Sequence, residues 1–450
     1  MSRVLLVNHE HVGPRMSGPT IRNWELARVL AETNAVTLAA PGQPTLSSGQ
    51  FAVVSMDGDG LAALVAANDV VVISGYLLDK HPVLREARYL VVDLNGPFTL
   101  ENLHMHQDAA MADRQRIAAA DREVLSRLIR AGDVFLCSGE RQRDFWTGWL
   151  AAAGRVNPIL HAADPGLNRL FLVVPFGLPE EPPQGGARRF RGALPGIAED
   201  DFIVIWSSGI WNWFDPLTLI EAVAATESQL PSLRVVFPVP SSPSLEVGPM
   251  RMAADARALS DRLGLTGRRV FFGTSMAYEE RGSILLEADV ATSLHLDDVE
   301  TRYSFRTRML DWFWAGLPIL TTEGDVLSEV VRGEELGEVV PYGDVAAVCS
   351  ALVRLEGDRT LLAEQGRRSR TVAERFRWSA VARPLVDYCR APYSAADREA
   401  IRAEDRAAPP PETKSRHLAR VFAATLREEG PAGLARKGAA YIRRITRRRP

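Results

Sequence analysis

Short runs of consecutive apolar residues alternate along the chain with longer segments of helical periodicity. In the first part of the chain such runs lie at residues 4–8, 35–39, 69–74 and 89–94. Strands that are apolar on both faces are typical of a parallel sheet covered by helices on both sides. The pattern therefore predicts a doubly wound α/β domain over residues 1–180, with its ligands at the carboxyl ends of the strands.

A segment rich in proline, glycine and charged residues at 179–189 interrupts this alternation and has the composition of a linker. After it, apolar runs at 201–206 and 289–294 again alternate with helical segments. We predict a second doubly wound domain over residues 181–390, whose last helices can pack back on the first domain. Residues 391–450 then form a linker and a tail. Two such domains in series place a ligand cleft between their facing strand ends.

The segment at residues 300–322 combines a predicted helix with a tight turn and a buried strand. Ser304 is the predicted N-cap of the helix, and Gly316 lies where a helix of about three turns ends in the left-handed conformation. Pro318 prevents the helix from continuing. Apolar residues recur at helical spacing between these ends, so one face of the helix is predicted to lie in the core.

Charged residues lie on the other faces of this predicted helix. Arg306 and Arg308 flank its N-terminus, where unpaired N–H groups and the helix dipole favour an anion, so they predict a phosphate site. Asp311, further along, is placed to accept hydrogen bonds from sugar hydroxyls. These features together suit a nucleotide diphosphate with a ribose attached. The alternative is a surface helix in which Arg308 pairs with Asp311 at a spacing of three residues.

The amino-acid composition limits the classes of protein to which this chain can belong. The chain has 450 residues, of which 46% are hydrophobic and 24% charged, as is typical of globular proteins with more than one domain. No apolar run approaches the roughly 18 residues that span a bilayer, and the start of the chain has no long apolar signal region. We therefore expect a cytoplasmic protein. Its cysteines, Cys137, Cys349 and Cys389, lie far apart and are expected to be buried thiols.

The net charge of −3 hides an asymmetry along the chain. Residues 414–450 carry eleven Lys or Arg and two Glu, which leaves residues 1–413 strongly acidic. Apolar residues recur at helical spacing in this tail, so we predict basic amphipathic helices that bind an anionic membrane surface. No nucleic-acid-binding module accompanies the charge, and we expect no nucleic acid partner. The alternative is a solvated tail without such a partner.

Residues 293–322 resemble the donor-site segment of the GT4 family of glycosyltransferases, which have the GT-B fold. The stretch Gly316-Leu317-Pro318-Ile319-Leu320 matches the Gly-x-Pro-Val-Val ending of that segment, and the wider likeness extends to about residue 390. The resemblance implies two Rossmann-like domains facing across a cleft, the second binding a nucleotide-diphosphate sugar and the first an acceptor. It also implies transfer to an acceptor hydroxyl with retention of anomeric configuration, with no cofactor and no divalent metal.

The resemblance fails at positions that bind the donor in the family. Two glutamates separated by seven residues are common there, and this chain has Asp311 at the second position and Tyr303 at the first. Glu300 lies three residues earlier and can substitute for the missing acid only if the loop is remodelled. Arg306 stands where the family usually has a glycine whose backbone approaches phosphate.

The turn at residues 209–215 lacks the Arg and Lys with which the family neutralises the departing diphosphate. We infer that Arg302, Arg306 or Arg308 supplies this charge from the other side of the pocket. In the alternative, the donor chemistry has been lost. The predicted donor-binding residues are Gly209, Trp211, Ser304, Arg306, Arg308 and Asp311, and Arg306 is also predicted to act in catalysis.

Two features of the first domain are expected to face the cleft. Arg15, Gly18 and Thr20 belong to a loop that resembles the family loop facing the donor phosphates and the acceptor; its alternative is a plain strand-to-helix connection. Asp93 and Glu101 follow a strand at the cleft side. We predict that these two acids orient the attacking hydroxyl or act as its base.

Three further motifs are open to more than one interpretation. Trp211 and Trp213 either stack on a base or sugar or pack between the domains. The stretch Asp57-Gly58-Asp59 formally matches the Asp-x-Asp of metal-dependent transferases, but its glycine predicts a turn. His104 and His106, two residues apart on a helix, point to different faces, so a metal pair is not expected.

Taken together, these features predict a glycosyltransferase that moves a sugar from a nucleotide-diphosphate sugar to a saccharide or lipid-linked acceptor. Polysaccharide or glycolipid biosynthesis for the cell envelope, at the inner face of the cell membrane, would account for the basic tail. Two alternatives share the architecture. One is a nucleotide-sugar epimerase or a non-glycosidic coupling enzyme, and the other is a catalytically degenerate scaffold that binds nucleotide-sugars.

Overall fold

The computed structural model describes residues 1–14, 16–238, 250–273 and 280–407. Its strands are β1 (Arg3–Val7), β2 (Ala35–Ala40), β3 (Ala52–Ser55), β4 (Val70–Ser74), β5 (Tyr89–Asp93), β6 (Val134–Cys137), β7 (Phe171–Val173), β8 (Phe202–Ile205), β9 (Leu233–Phe237), β10 (Val270–Phe272), β11 (Val290–Ser293), β12 (Ile319–Thr322) and β13 (Gly337–Val340). Each is close to an apolar run in the sequence.

These strands form two sheets. The first has the order β3-β2-β1-β4-β5-β6-β7, and the second has the order β10-β9-β8-β11-β12-β13. Every pair of neighbouring strands is parallel. The predicted fold class, with two doubly wound parallel sheets, is therefore confirmed.

Helices connect the strands and cover both sheets. In the first half they are α1 (Gly18–Ala31), α2 (Gly60–Ala67), α3 (Leu77–Lys80), α4 (Phe98–Met105), α5 (Met111–Ala131), α6 (Glu140–Ala152) and α7 (Pro158–Ala163). In the second half they are α8 (Pro216–Ala225), α9 (Arg251–Arg262), α10 (Arg281–Leu285), α11 (Val299–Tyr303), α12 (Thr307–Ala315), α13 (Val326–Gly333), α14 (Val345–Gly357), α15 (Arg359–Ala373), α16 (Trp378–Val381), α17 (Arg383–Arg390) and α18 (Arg398–Ala407).

The chain reverses its direction of progress across each sheet at one point. In the first sheet the reversal lies between β1 and β4, and in the second it lies between β8 and β11. At such a point the loops that follow the strands part, which leaves a crevice at the carboxyl ends. The residues after β1 and β8 are therefore the expected lining of a ligand site.

The last helices return to the first sheet. Trp378 of α16 and Leu385 of α17 are fully buried in the apolar cluster that also contains Val4 and Leu6 of β1. Gly177 makes this return possible, because a Cβ at that position would overlap the Trp378 ring. The chain thus crosses between the two sheets twice, near residue 177 and again near residue 377.

Residues 397–407, which include α18, belong to a unit separate from residues 1–396. The basic segment at residues 414–450 lies outside the described residues, so the membrane-binding tail stays a prediction. In the described parts of the chain, no helix is both long enough and apolar enough to pass through a bilayer.

Candidate active site between the two sheets

A cleft of about 590 Å³ lies between the carboxyl ends of the two sheets. The first sheet contributes the loops after β1, β4 and β5, and the second contributes the ends of β8 and β11 together with α12. The cleft is therefore found where the strand orders predict a ligand site. We call the two sides the first wall and the second wall, after the sheet that supplies each.

Contacts between the two halves close one side of the cleft. His104 of α4 lies 3.2 Å from the carboxylate of Asp298, which begins α11. Gln142 of α6 donates a hydrogen bond of 3.0 Å to the backbone oxygen of Tyr303. Arg141 donates to the backbone oxygen of Gly324 at 2.6 Å. The structure thus represents an arrangement in which the two walls already face each other closely.

The segment that carries the second wall differs from its prediction at one end. Ser304 is not a helix N-cap, because the backbone ends α11 there and α12 begins only at Thr307. Its hydroxyl donates instead to the carboxylate of Glu300. Gly316 ends α12 with φ of 69° and ψ of 41°, so the predicted left-handed C-cap is confirmed. Ser304 still lines the cleft.

Arg306 lines the cleft, but its charge is already paired. Both terminal nitrogens donate to the carboxylate of Glu300, at 2.9 and 2.7 Å, and the two side chains are 7% and 1% exposed. The guanidinium also lies over the Phe214 ring, 5.2 Å from its centroid. Glu300 thus balances the charge of Arg306 in this structure, and the role of Arg306 toward a donor diphosphate stays a prediction. Its Nε is buried without a hydrogen-bond partner among the described residues.

Asp311 is shared between two arginines. It accepts from Nε of Arg281 at 3.1 Å and from a terminal nitrogen of Arg308 at 3.2 Å, one on each carboxylate oxygen. The pairing of Arg308 with Asp311, considered above as an alternative to ligand binding, is thus present on a helix that lines the cleft. Arg281 is buried and packs on the Trp314 ring, 4.8 Å from its centroid.

Two further sequence candidates of this segment lie away from the cleft. Arg302 is exposed and lies over the ring of its neighbour Tyr303, 5.7 Å from the centroid. The Tyr303 ring packs on Phe145 of α6, with centroids 4.7 Å apart. The position where the family has its first glutamate is therefore occupied here by a contact between the two halves.

The first wall contains its own buried ion pair. Arg22 of α1 donates from Nε to Asp93 at 2.6 Å, and the side chains are 3% and 5% exposed. The same guanidinium donates to the backbone oxygens of Val174 at 2.6 Å and Pro175 at 2.9 Å. Asp93 also accepts from the N–H of Asn95 at 3.1 Å. This acid lies in the cleft as predicted, but its oxygens hold the end of β5 and the crossover.

Glu101 of α4 also lines the cleft, and its carboxyl group makes no hydrogen bond or ion pair with the described residues. Burial, with the negative charge of Glu300 as the second cause, raises the pKa of Glu101 from its ordinary 4.5 to about 7, although Arg306 opposes the shift. A carboxyl group that titrates near neutral pH is suited to accept a proton from a hydroxyl.

The loop after β1 has a different internal structure from the one predicted. Thr20 lies inside α1 rather than in the loop in which the sequence analysis placed it, and its hydroxyl donates to Glu10 at 3.0 Å. Ser17 also donates to Glu10. Gly18 is the first residue of α1 and has open space beside it. Arg15 lies outside the described residues.

The aromatic residues of the turn after β8 form a stack at the edge of the cleft. Trp211 and Trp213 lie with ring centroids 5.2 Å apart and planes 10° apart, and both line the cleft with Gly209. Asn212 donates to the backbone oxygen of His104 at 3.2 Å. The contact with the first domain agrees with packing between the domains, and stacking on a base or sugar stays a prediction.

The structure also shows the conformation or burial of other residues that the sequence analysis considered. Asp57-Gly58-Asp59 is a turn, with Gly58 at φ of 64°. Cys137 and Cys389 are buried, Cys349 is partly buried, and all three thiols are free. Within the described ranges, no group of three or more His, Cys, Asp or Glu residues is placed to hold a metal ion.

Sequence reasoning missed several charged residues that line the cleft, among them Glu10 and Arg281. Glu10 follows the first strand at the switch point, so the strand pattern contained a signal for it. Arg281 begins a helix of five residues with no motif around it. Its role depends on Asp311, thirty residues later, and no local pattern links the two.

Comparisons with known proteins agree with this architecture. No family model matches the chain. Over 196 residues it is 26% identical to EpsD of Bacillus subtilis strain 168, a protein whose name describes a glycosyltransferase, and the match spans 43% of this chain and 46% of EpsD. The matched region is thus less than half the length of this curated relative.

Solved structures are similar over most of the chain. Sucrose-phosphate synthase from Thermosynechococcus elongatus gives a TM-score of 0.62 at 16% identity, covering 87% of this chain and 98% of that one. WaaG, a glycosyltransferase involved in lipopolysaccharide biosynthesis, gives 0.56 at 16% identity, with coverages of 86% and 100%. HepE of Anabaena, in complex with UDP and glucose, gives 0.56 at 15% identity, with coverages of 86% and 99%. The chain therefore has the GT-B fold.

Proposed function

We propose that this GT-B chain is a glycosyltransferase that moves a sugar from a nucleotide-diphosphate sugar to an acceptor hydroxyl. The observation that carries the proposal is Glu101, an unpaired carboxyl with a pKa of about 7 in the cleft, facing a wall that bears three arginines. This arrangement offers a proton acceptor on one side and groups for an anionic donor on the other.

In this proposal the second wall binds the donor and the first wall binds the acceptor. The acceptor oxygen bonds to the anomeric carbon of the donor sugar on the face from which the phosphate leaves, and the bond from that carbon to the phosphate oxygen breaks, so that the configuration is retained. The hydroxyl proton goes to the carboxylate of Glu101. Arg306 acts as a positioning residue, because it is paired with Glu300 and sets the charge around Glu101.

The known proteins support the choice of substrates. WaaG and EpsD are both described as glycosyltransferases, and WaaG acts in lipopolysaccharide biosynthesis. HepE was solved with UDP and glucose. We therefore propose a UDP-sugar as the first donor to test and a cell-envelope saccharide or glycolipid as the acceptor. Retention of configuration and a reaction without divalent metal follow from the sequence resemblance, and both are part of the proposal.

The experiment combines donor screening with the Glu101→Gln variant. Purified protein is incubated with UDP-, GDP-, ADP- and dTDP-sugars and with saccharide acceptors, and nucleotide release is measured from pH 5.5 to 9. In the wild type, kcat/KM should rise with pH through about 7, because the ionised form of Glu101 is the base. The variant should lose about 10²-fold or more of the activity and the pH dependence. The anomeric configuration of the product is read by NMR.

Two outcomes would count against the proposal. If Glu101→Gln keeps wild-type activity with the same pH profile, Glu101 is not the base. If a nucleotide-sugar is converted without any acceptor, the chain is an epimerase rather than a transferase. Asp79→Asn is a suitable control, because Asp79 pairs with Arg127 outside the cleft and should leave the pH profile unchanged.

The raised pKa of Glu101 also predicts how the stability of the protein changes with pH. The native pKa of Glu101 lies above its ordinary value of 4.5, so the folded chain binds this proton more tightly than the unfolded chain. Between pH 4.5 and 7 the contribution of Glu101 to stability therefore falls as the pH rises. In Glu101→Gln that fall is absent, and the variant should be more stable than the wild type above pH 7, by up to about 3 kcal/mol.

We also propose that the tail at residues 414–450 holds the enzyme at an anionic membrane surface. The support is the sequence alone, with its eleven basic residues among apolar ones. A chain truncated after Pro411 should no longer sediment with vesicles that contain phosphatidylglycerol, whereas the full chain should. Equal sedimentation of both would contradict this part of the proposal.

A further inference from the structure

Helix α4 carries the proposed base, Glu101, and has little buried surface of its own. None of its eight residues is fully buried. On the side of the first domain, Phe98 packs on the Tyr76 ring, with centroids 5.4 Å apart. Asn102 donates to the hydroxyl of Tyr76 and to Asp121, both at 2.9 Å. A helix with few buried apolar contacts depends on such individual contacts for its position.

The C-terminal end of α4 is attached to the second domain through His104. Its Nε2 lies 3.2 Å from Oδ1 of Asp298. Its ring lies beside that of Trp213, with centroids 6.4 Å apart, and its backbone oxygen accepts from Asn212 at 3.2 Å. Residues three apart lie on the same side of a helix, so these contacts hold the side of α4 from which Glu101 projects.

Asp298 has a second contact, at the start of α11. The same oxygen, Oδ1, accepts from the N–H of Glu300 at 2.8 Å and so caps the helix. Glu300 pairs with Arg306. After burial, these two charges act on the pKa of Glu101, which Glu300 raises and Arg306 lowers. One carboxylate oxygen therefore links the helix that carries the proposed base to the residue whose charge acts on it.

Other contacts between the two halves do not involve α4. Arg141 and Gln142 belong to α6, and they donate to backbone oxygens of Gly324 and Tyr303 in the second domain. These bonds bring the two halves together without touching the helix that carries Glu101. The contact of His104 with Asp298 differs from them because it acts on that helix directly.

We propose that His104 and Asp298 are positioning residues, which hold α4 and the carboxyl group of Glu101 in place for proton transfer when the two walls face each other. Neither residue lines the cleft, so neither is placed to touch a substrate. The inference rests on the proposed function, in which Glu101 accepts the proton of the acceptor hydroxyl. It adds that the second domain positions the base that the first domain carries.

The first test separates kcat from KM, with the UDP-, GDP-, ADP- or dTDP-sugar on which the wild type is active. His104→Ala should lower kcat by about 10- to 100-fold, because a base displaced by about 1 Å loses its alignment with the hydroxyl. The KM for the donor should change little, since the donor is assigned to the second wall. His104→Gln should keep most of the activity, because its amide can donate to Asp298 without a charge.

Two further variants control this test. His106→Ala is the matched control, because His106 belongs to the same end of α4, does not line the cleft, and makes no side-chain hydrogen bond or ion pair with the described residues. It should keep the wild-type kcat. The double variant of His104→Ala with Asp298→Ala should be no slower than Asp298→Ala alone, because the contact is already lost there.

The second test needs no substrate. Urea unfolding is measured from pH 4.5 to 8 for the wild type and Glu101→Gln, each with and without His104→Ala. With His104 present, Glu101→Gln should gain stability over the wild type as the pH rises to about 7. With His104→Ala this gain should shrink, because α4 is no longer held where burial and Glu300 raise the pKa of Glu101. His104→Gln should restore the gain.

The two tests distinguish failure of this inference from failure of the proposed function. If His104→Ala keeps the wild-type kcat and the full gain from Glu101→Gln, the inference is overturned and the proposed transfer stands. An equal loss of kcat in Arg141→Gln, which removes a contact on α6, would also overturn it, because any loosening of the cleft would then have the same result. A gain that depends on His104 in a protein that transfers no sugar would support the positioning role and contradict the proposed function.

Discussion

The two walls of the cleft each hold a buried arginine–carboxylate pair, but they differ in what remains available around it. In the first wall the Arg22–Asp93 pair is saturated, and its remaining donors tie two strand ends together. In the second wall the Arg306–Glu300 pair adjoins Arg308, which keeps donors to offer. The difference indicates that the first wall uses its charges for structure and the second keeps some for a ligand.

The pKa of the proposed base, Glu101, depends on residues of both walls. Glu101 belongs to the first domain, and burial is the main cause of its raised pKa, but the two charges that modify this pKa, Glu300 and Arg306, belong to the second. Its protonation therefore depends in part on the two walls facing each other as the contacts of His104 and Gln142 hold them. In the proposed reaction, this carboxyl group would couple proton transfer to closure of the cleft.

The largest expected effect is the loss of the saturated pair in the first wall. Asp93→Asn leaves Arg22 buried beside a neutral partner, and we expect the free energy of unfolding to fall by about 3–5 kcal/mol. Urea unfolding of the variant measures this. Asp387→Asn removes one partner of an exposed pair with Arg390 and should change stability by less than about 1 kcal/mol. Equal effects of the two changes would contradict a structural role for Asp93.

We expect a smaller loss of stability when the Arg306–Glu300 pair of the second wall is broken. Glu300→Gln removes the partner of Arg306, but Glu101 lies close enough to compensate, so we expect a loss of about 2 kcal/mol. The pKa of Glu101 should fall, because the repulsion by Glu300 is gone, and the pH profile of activity should shift to lower pH. Glu364→Gln, which breaks an exposed pair with Arg367 within one helix, is the matched control. An unshifted profile would contradict the coupling of the two walls.

The smallest effect concerns the ring contact that joins the walls. Tyr303→Leu and Phe145→Leu each remove one ring of this tilted pair, and each should lower the free energy of unfolding by about 1 kcal/mol or less. The double variant should cost less than the sum of the two single changes, because the contact is already lost in either one. Strict additivity in urea unfolding would mean that the rings do not interact across the cleft.

Much of the fold was predictable because its signals are local. The strands β1 and β4 are apolar on both faces, and the left-handed conformation at Gly316 follows from glycine chemistry and the proline two residues later. Ser304 was misassigned for a physical reason. A serine before a helical pattern is an ordinary N-cap. Here the Ser304 hydroxyl donates a hydrogen bond to the nearby Glu300, the backbone at Ser304 is extended, and the next helix begins only at Thr307.

The candidate site was predictable only in part, because ion pairs depend on distances that sequence spacing does not reveal. The sequence shows that Arg306 and Glu300 are charged residues near one helix. It contains no local pattern that predicts an ion pair between them. Arg281 gave no signal, since the acid that orients it lies on another helix. Asp93 and Glu101 look equivalent in the sequence, and only the position of Arg22 separates them.

The most direct test of this account is a crystal structure of the protein with UDP, or with whichever nucleoside diphosphate binds best. We predict that the phosphates lie against the second wall, where Arg308 keeps donors to offer, with the Arg22–Asp93 and Arg306–Glu300 pairs unchanged. Phosphates bound instead by Arg22 or by Arg306 after its pair has opened would contradict the distinction between the two walls.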